Sequence, residues 1–311
     1  MALLLRKRLI LIETESTYGT DPTPDGADAV LVRDLSITPQ SSDVVSRDLI
    51  RPYLGASQQL LANTRVECTF SVELVGSGTA GTAPQYGKAL KACGLAETVV
   101  ANTSVTYDPV SASFSSVTIH YMIDGVRHKM TGCRGNVALT ANVGEIPTLD
   151  FTFTGIYNAP DDTALSGTFT VANQAAALEV NDTNMTTSTF FGETSQRIES
   201  FDLALNNELI YKETASSKEV LITNRAVGGT AVIEAPAVGT TDYFADAVGA
   251  STASSSLVLG ATGGNIVTLT AAQTDVTGVS YGDTNGVISL SMPYLALPST
   301  SGNDELSLAF T

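Results

Sequence analysis

SSVTIHYMIDGVRHKMTGCRGNVALTA, residues Ser115 to Ala141, reads as three consecutive strands. Val117, Ile119, Tyr121 and Ile123 alternate with polar or smaller residues, the period of a strand with one buried face. Asp124-Gly125 is a two-residue turn signal of type I′, where both central positions take φ > 0. The chain returns through Val126, His128 and Met130, turns again at Gly132 to Gly135, and leaves through Val137 and Leu139. A fainter copy of this meander recurs at Gly264 to Met292.

The same alternation extends outward. In Arg65 to Leu74 (RVECTFSVEL), Val66, Cys68, Phe70, Val72 and Leu74 face one way, and Glu67, Thr69, Ser71 and Glu73 the other. Thr148 to Thr154 repeats the pattern, with Leu149, Phe151 and Phe153 inward and Asp150 outward. Val30 to Thr38 is a first strand whose alternation slips near Arg33, the mark of a bulge. The polar connection Pro39 to Asn63 carries Arg47, Arg51, Tyr53 and Leu54, a composition that favours a contact surface over a linker. Gly76 to Thr82 reads as a flexible loop. A helix is expected over Ala83 to Leu95, capped by Thr82, ended by Gly94 and striped by Tyr86, Leu90 and Cys93.

Composition agrees with a mainly β class: of 311 residues 15 % are charged and none is Trp. No apolar run reaches the roughly 18–20 residues that span a bilayer. The N-terminus, MALLLRKRLILIE, lacks the order of a secretory signal and reads as the start of an arm over residues 1–29, so synthesis in a cytoplasm is expected. Cys68, Cys93 and Cys133 stand at no metal spacing and read as buried small hydrophobes. Net charge is −16 and uneven: residues 1–158 hold 12 Lys+Arg against 15 Asp+Glu, and residues 159–311 hold 4 against 17, which sums to the 16 and 32 of the chain. Such a surface does not hold nucleic acid by phosphate neutralisation.

The second half echoes the first. Asp34-Leu-Ser-Ile37 returns as Asp202-Leu-Ala-Leu205, and Asn63–Glu73 aligns with Asn224–Glu234. The helix recurs at Thr241–Ala250, with Tyr243 on Tyr86. Gly135–Thr140 returns as Gly286–Ser291, and LDFTFT (Leu149–Thr154) as LSLAFT (Leu306–Thr311). With Asn158–Asp162 as the boundary, an internal duplication over 1–158 and 159–311 is expected.

Catalytic signatures are missing. The turn at Asp124-Gly125 pairs residue 121 with 128 and 120 with 129, so His120 and His128 fall on opposite faces and share no metal, one half-buried and one at the surface. Walker and Cys-x-x-Cys motifs do not occur, and Gly76-Ser-Gly-Thr-Ala-Gly81, though it precedes a helix, lacks the Lys that a P-loop needs. No catalytic residue, metal or cofactor is expected.

The arm segment ETESTYGTDPTP (Glu13–Pro24), the helix APQYGKALKACGL (Ala83–Leu95) and LDFTFTGIY (Leu149–Tyr157) resemble major tail tube proteins of tailed bacteriophages, most closely those with long non-contractile tails. The likeness covers the first 158 residues; the second half joins through the echo. It implies β-sandwich domains, each with a flanking helix, whose inner strands join into one continuous barrel ring. It further implies stacked rings that conduct DNA during ejection, and a place in the virion tail beside a tape-measure protein, a terminator and a distal-tail protein. Two domains per chain imply trimer rings with pseudo-sixfold symmetry. The outward acids Asp34, Glu67, Glu73, Asp150, Asp202, Glu234 and Glu305 are then candidates for the lumen wall. Arg47, Arg51, Tyr53 and Leu54, with the N-terminal arm, are candidates for ring stacking. A tandem β-sandwich adhesin or tail-decoration protein is the competing expectation.

Overall fold

The hairpin forms in the register its turn dictates: Tyr121 stands opposite His128 and Ile123 opposite Val126, with positive φ at Asp124 and Gly125. The computed structural model describes residues 3–164 and 168–311. The first half holds β1 (Arg8–Thr14), β2 (Ala29–Val30), β3 (Arg33–Val45), β4 (Leu60–Glu73), α1 (Gly87–Ala92), β5 (Leu95–Val100), β6 (Ser104–Pro109), β7 (Val117–Ile123), β8 (Val126–Asn142), β9 (Thr148–Tyr157) and β10 (Asp161–Asp162). The second holds β11 (Met185–Thr189), β12 (Ile198–Ala204), β13 (Glu208–Glu213), β14 (Lys218–Asn224), β15 (Gly228–Glu234), α2 (Tyr243–Gly249), β16 (Thr252–Leu259), β17 (Val267–Val276), β18 (Ser280–Thr284), β19 (Val287–Ala296) and β20 (Ser307–Phe310). The class is mainly β, 51 % strand and 5 % helix.

Antiparallel pairing places eight strands side by side in the order β3-β4-β9-β8-β12-β15-β19-β18. A second layer, β5-β6-β20-β17-β16-β11, covers one face of this front sheet. Between them lies one core drawn from both halves: Phe70, Phe151, Leu139, Leu203, Ile233 and Met292 from the front, and Tyr107, Leu269 and Phe310 from the back. The rings of Phe70, Phe151 and Phe153 stack at 5.2–5.9 Å. Each such buried side chain contributes about 1.5–3 kcal/mol of transfer free energy.

Several expectations fail for identifiable reasons. Gly132–Gly135 is no turn: β8 runs through it with a bulge between Thr131 and Arg134. Gly132 has φ +59, and a Cβ there would lie 2.8 Å from the Tyr18 ring, so this glycine serves a close approach. Residues 8–29 do not project as an arm. β1 pairs with β7, and Ile10, Leu11 and Ile12 are all buried, because the Glu15–Asp28 segment folds back over their second face. Glu15 there accepts hydrogen bonds from Ser116, Thr118 and the Gly132 amide.

The helix is shorter than expected. Tyr86, not Thr82, is at its N-cap, since Pro84 closes a turn by accepting from the Gly87 amide. Gly94 follows its end with φ +83, as expected. The Gly76–Thr82 segment is pinned rather than flexible: the Gly78 amide donates to the Gly264 carbonyl, and the Gly76 amide to the Asn265 side chain at 2.9 Å. Pro39–Asn63 is partly ladder, because β3 continues to Val45 and β4 starts at Leu60; residues 46–59 form the tip of a projecting arm.

Some of the echoes have structural counterparts and others do not. Tyr86 and Tyr243 are both buried at the start of their helices. Glu73 faces Thr148 across β4 and β9, as Glu234 faces Ser289 across β15 and β19. β19, not β20, therefore sits where β9 sits, which takes Gly286–Ser291 off Gly135–Thr140 of β8, and LSLAFT forms β20 in the back layer, against β17 and β6.

Candidate functional site

Alternation sends the apolar residues of the front sheet to the core and leaves a second face of hydroxyls, small residues and carboxylates. Cross-strand register builds rows on that face. One row runs Glu73, Thr148, Thr140, Asp202, Thr230, Pro293. The next runs Ser71, Asp150, Ala138, Ala204. Ser200, Ser291 and Ser280 continue the pattern toward β18.

Five of the seven acids expected on a common wall occupy this face, and they are not equivalent. Glu67 is held by Arg65 at 3.0 Å, and Glu234 by Arg197 at 2.8 Å. Glu73, Asp150 and Asp202 have no cation partner among the described residues; the Ser71 hydroxyl donates to Asp150. Asp34 sits in the β3 bulge with φ +50, exposed and out of the alternation, a conformation aspartate tolerates better than most residues. Its neighbour Arg33, opposite Ser71, brings a cation to the face that strand reading had not counted. Glu305 is off the face altogether. It precedes β20, is 6 % exposed, and accepts from the Arg225 guanidinium at 2.6 Å. The LSLAFT alignment had carried it to a wall where β20 does not lie.

Asp202 is the strained member. Burial lifts its carboxyl above the ordinary aspartate range, against a lowering hydrogen bond with Thr140, and its Oδ1 has no partner. An acid whose folded pKa is raised costs nothing where both states are protonated; its penalty builds as pH rises from the unfolded pKa and is complete above the folded one. Asp202→Asn is therefore expected to raise the melting temperature at pH 7, with the gain shrinking toward pH 3; a pH-independent difference in thermal melts would contradict this.

The second candidate cluster is the arm. Tyr53 is 67 % and Leu54 103 % exposed, Arg47 is exposed, and Arg51 lies over the Tyr53 ring at 6.0 Å. Below the tip, Val44 faces Leu61 and Val45 faces Leu60; as each pair shares a face, both faces of the ladder are apolar and open to solvent. A bare two-sided apolar hairpin marks an interaction surface.

The histidines do point apart, but neither is at the surface. His120 is 1 % exposed, with Nε2 3.2 Å from Asp21, and Asp21 also meets Lys129 at 2.7 Å. Burial lowers the His120 pKa despite Asp21. The trio fastens the 15–28 segment onto β7 and β8. Among the described residues no group of three or more His, Cys, Asp or Glu is placed to hold a metal, and no helix is long and apolar enough to cross a membrane.

Sequence reading missed three features. The β13–β14 hairpin lies over the first half at Tyr18 and Arg134. A groove of about 420 Å³ lies between Arg225 and Pro298. The edge of β18 exposes Tyr281. The Leu209-Ile210 and Leu221-Ile222 pairs could have signalled the hairpin; the other two depend on long-range pairing.

No curated protein matches the chain. A family model described as phage tail tube protein matches residues 6–310, nearly the whole chain, with the acid-faced sheet and the arm inside it, and the chain belongs to that family.

Proposed function

We propose that three copies of this chain close a ring, that rings stack into the tube of a long non-contractile phage tail, and that the front sheets join as the wall of its lumen. The reading rests on one observation above the rest: a four-strand unit occurs twice in one continuous sheet, as β3-β4-β9-β8 and then β12-β15-β19-β18. A chain carrying two units fills a pseudo-sixfold ring with three copies. Residues 1–158 and 159–311 are the two tube domains, sharing one core.

Glu73, Asp150 and Asp202 face the lumen, with Glu67 and Glu234 tempered by their arginines. Charges of phosphate sign hold DNA off the wall, and the serine and threonine hydroxyls between them keep a water layer. DNA passes without specific binding. The arm tip, with Arg47, Arg51, Tyr53 and Leu54, reaches the ring stacked on its own. The open ends of the tube meet a terminator and a distal-tail protein, and assembly proceeds around a tape-measure protein in the host cytoplasm. The role is structural rather than enzymatic.

Rotational averaging of electron micrographs of assembled rings, with the mass of one ring, tests this. Threefold rings of three chains are expected. Strict sixfold rings of six chains, or purified protein that stays as discrete monomers, would overturn it.

A further inference from the structure

The contact between the two halves shows what a neighbouring copy has to meet. Inside the chain, the second half adds to the first in two places. β12 pairs with the open side of β8, Thr140 opposite Asp202 and Leu139 opposite Leu203. The β13–β14 hairpin then folds back over the first half. The Tyr211 hydroxyl donates to the Thr64 carbonyl at 3.1 Å, and the buried Val220 donates through its amide to the Tyr18 hydroxyl at 2.6 Å. Arg134 donates to the Val220 carbonyl at 2.6 Å. The hairpin thereby covers the Thr64 end of β4 and the adjoining end of β9.

The outer side of each half lacks such a partner. β18 pairs only with β19, and β3 only with β4, among the described residues. Registers align residues 64–66 with 225–227 and 154–157 with 295–298, through Glu73 opposite Thr148 and Glu234 opposite Ser289. The groove of about 420 Å³ is lined by Arg225, Ala226, Leu295, Leu297 and Pro298. It lies at the second-half counterpart of the surface that β13–β14 covers on the first.

One hairpin of the matching kind is uncovered. In β13–β14, Leu209 faces Ile222 and Ile210 faces Leu221. In the arm, Val44 faces Leu61 and Val45 faces Leu60, and all four are about half exposed. Ile222 and Leu61 stand the same number of residues before the aligned Glu234 and Glu73, as do Leu221 and Leu60. The docked hairpin turns Leu209, Tyr211, Val220 and Ile222 to one face. The corresponding face of the arm is that of Val44 and Leu61.

We propose that the β3–β4 arm of one copy seats in the Arg225–Pro298 groove of a second copy, Val44 and Leu61 inward, while its β3 edge pairs antiparallel with that copy's β18. This rests on the ring reading above and names its junction. The register follows from the internal one. Leu203 faces Gly229 as Ile37 faces Cys68, and Leu139 faces Leu149 as Tyr281 faces Leu290. Leu139 opposite Leu203 therefore becomes Tyr281 opposite Ile37. Each copy offers one arm and one groove, a heterologous contact that closes when the rotation completes a turn. The free β3 and β18 edges, open to indiscriminate pairing in a lone chain, are consumed by closure. Val45 and Leu60 stay turned away from the groove, available to the stacked ring.

Cross-linking tests the seat. Ser46 is the arm position corresponding to Tyr211, and Ala226 lies in the groove; both are exposed, and the native cysteines are buried. Assembled S46C/A226C protein, treated with a short bismaleimide and run denatured, is expected to give cross-linked dimers and trimers and nothing larger, with each single variant giving monomers. A ladder beyond three chains would place the arm in the next ring and overturn the proposal. So would absence of cross-links in material that micrographs show to be ringed. Failure of the unsubstituted protein to form rings would instead count against the ring reading itself.

Discussion

Phage carrying Glu73→Lys, Asp150→Lys and Asp202→Lys together are expected to build tails at near-normal yield and to eject DNA at least about tenfold more slowly, because lysines that contact phosphate bind it and release counterions. The three positions occupy adjacent rows of one face and none of them makes an ion pair among the described residues, so each change swings the local wall by two charges. Fold damage should be modest. The side chains point away from the core, and the losses are the Ser71–Asp150 and Thr140–Asp202 hydrogen bonds, about 1 kcal/mol each. Ionic strength separates the electrostatic cause from a blocked channel: the defect should ease as salt rises, since the screening length falls from about 10 Å at 0.1 M to about 3 Å at 1 M. Neutral variants, Glu73→Gln with Asp150→Asn and Asp202→Asn, should fall between. Reversing Glu67 or Glu234 alone should do less, because it changes one site instead of three, although it leaves two cations side by side. Ejection at the unsubstituted rate from tails of normal yield would remove the lumen assignment.

How far the sequence carried depends on the range of the interaction involved. The Asp124-Gly125 hairpin, the inward set Val66, Cys68, Phe70 and Val72, and the slip near Arg33 are local patterns, and each is where its period put it. The misreadings involve partners far along the chain. Leu9–Ile12 read as part of an arm because nothing nearby in sequence announces β7 on one side and the Glu15–Asp28 cover on the other. Gly132 read as a turn because its actual reason, the Tyr18 ring, lies more than a hundred residues away. Gly76 read as loose, while a Cβ there would stand 2.1 Å from the Gly264 carbonyl oxygen. At the candidate site, strand parity sufficed for Glu73, Asp150 and Asp202. It failed for Glu305, since an alternating motif fixes which residues share a face but not which layer that face belongs to.

Val44→Asp with Leu61→Asp is expected to abolish ring and tube formation while leaving the monomer folded. Both side chains are about half exposed in the single chain, Val44 at 55 % and Leu61 at 57 %, so the monomer loses little apolar burial and its melting temperature should stay within a few degrees. In the assembly the same two positions enter a seat between copies. There each forfeits up to about 1.5–3 kcal/mol of burial, and each carboxylate meets a largely apolar groove with Glu305 at its edge. Losing even 3 kcal/mol at a junction lowers its association constant more than a hundredfold, and a closed ring repeats that loss at every junction. Val45→Asp with Leu60→Asp probes the opposite face of the same ladder. If Val44 and Leu61 face the neighbour within a ring and Val45 and Leu60 face the next ring, the first pair should leave monomers and the second should leave isolated rings. Sedimentation and micrographs tell these apart. Identical behaviour of the two pairs would show that the arm makes one contact rather than two, and tubes surviving the first pair would show that assembly does not pass through Val44 and Leu61.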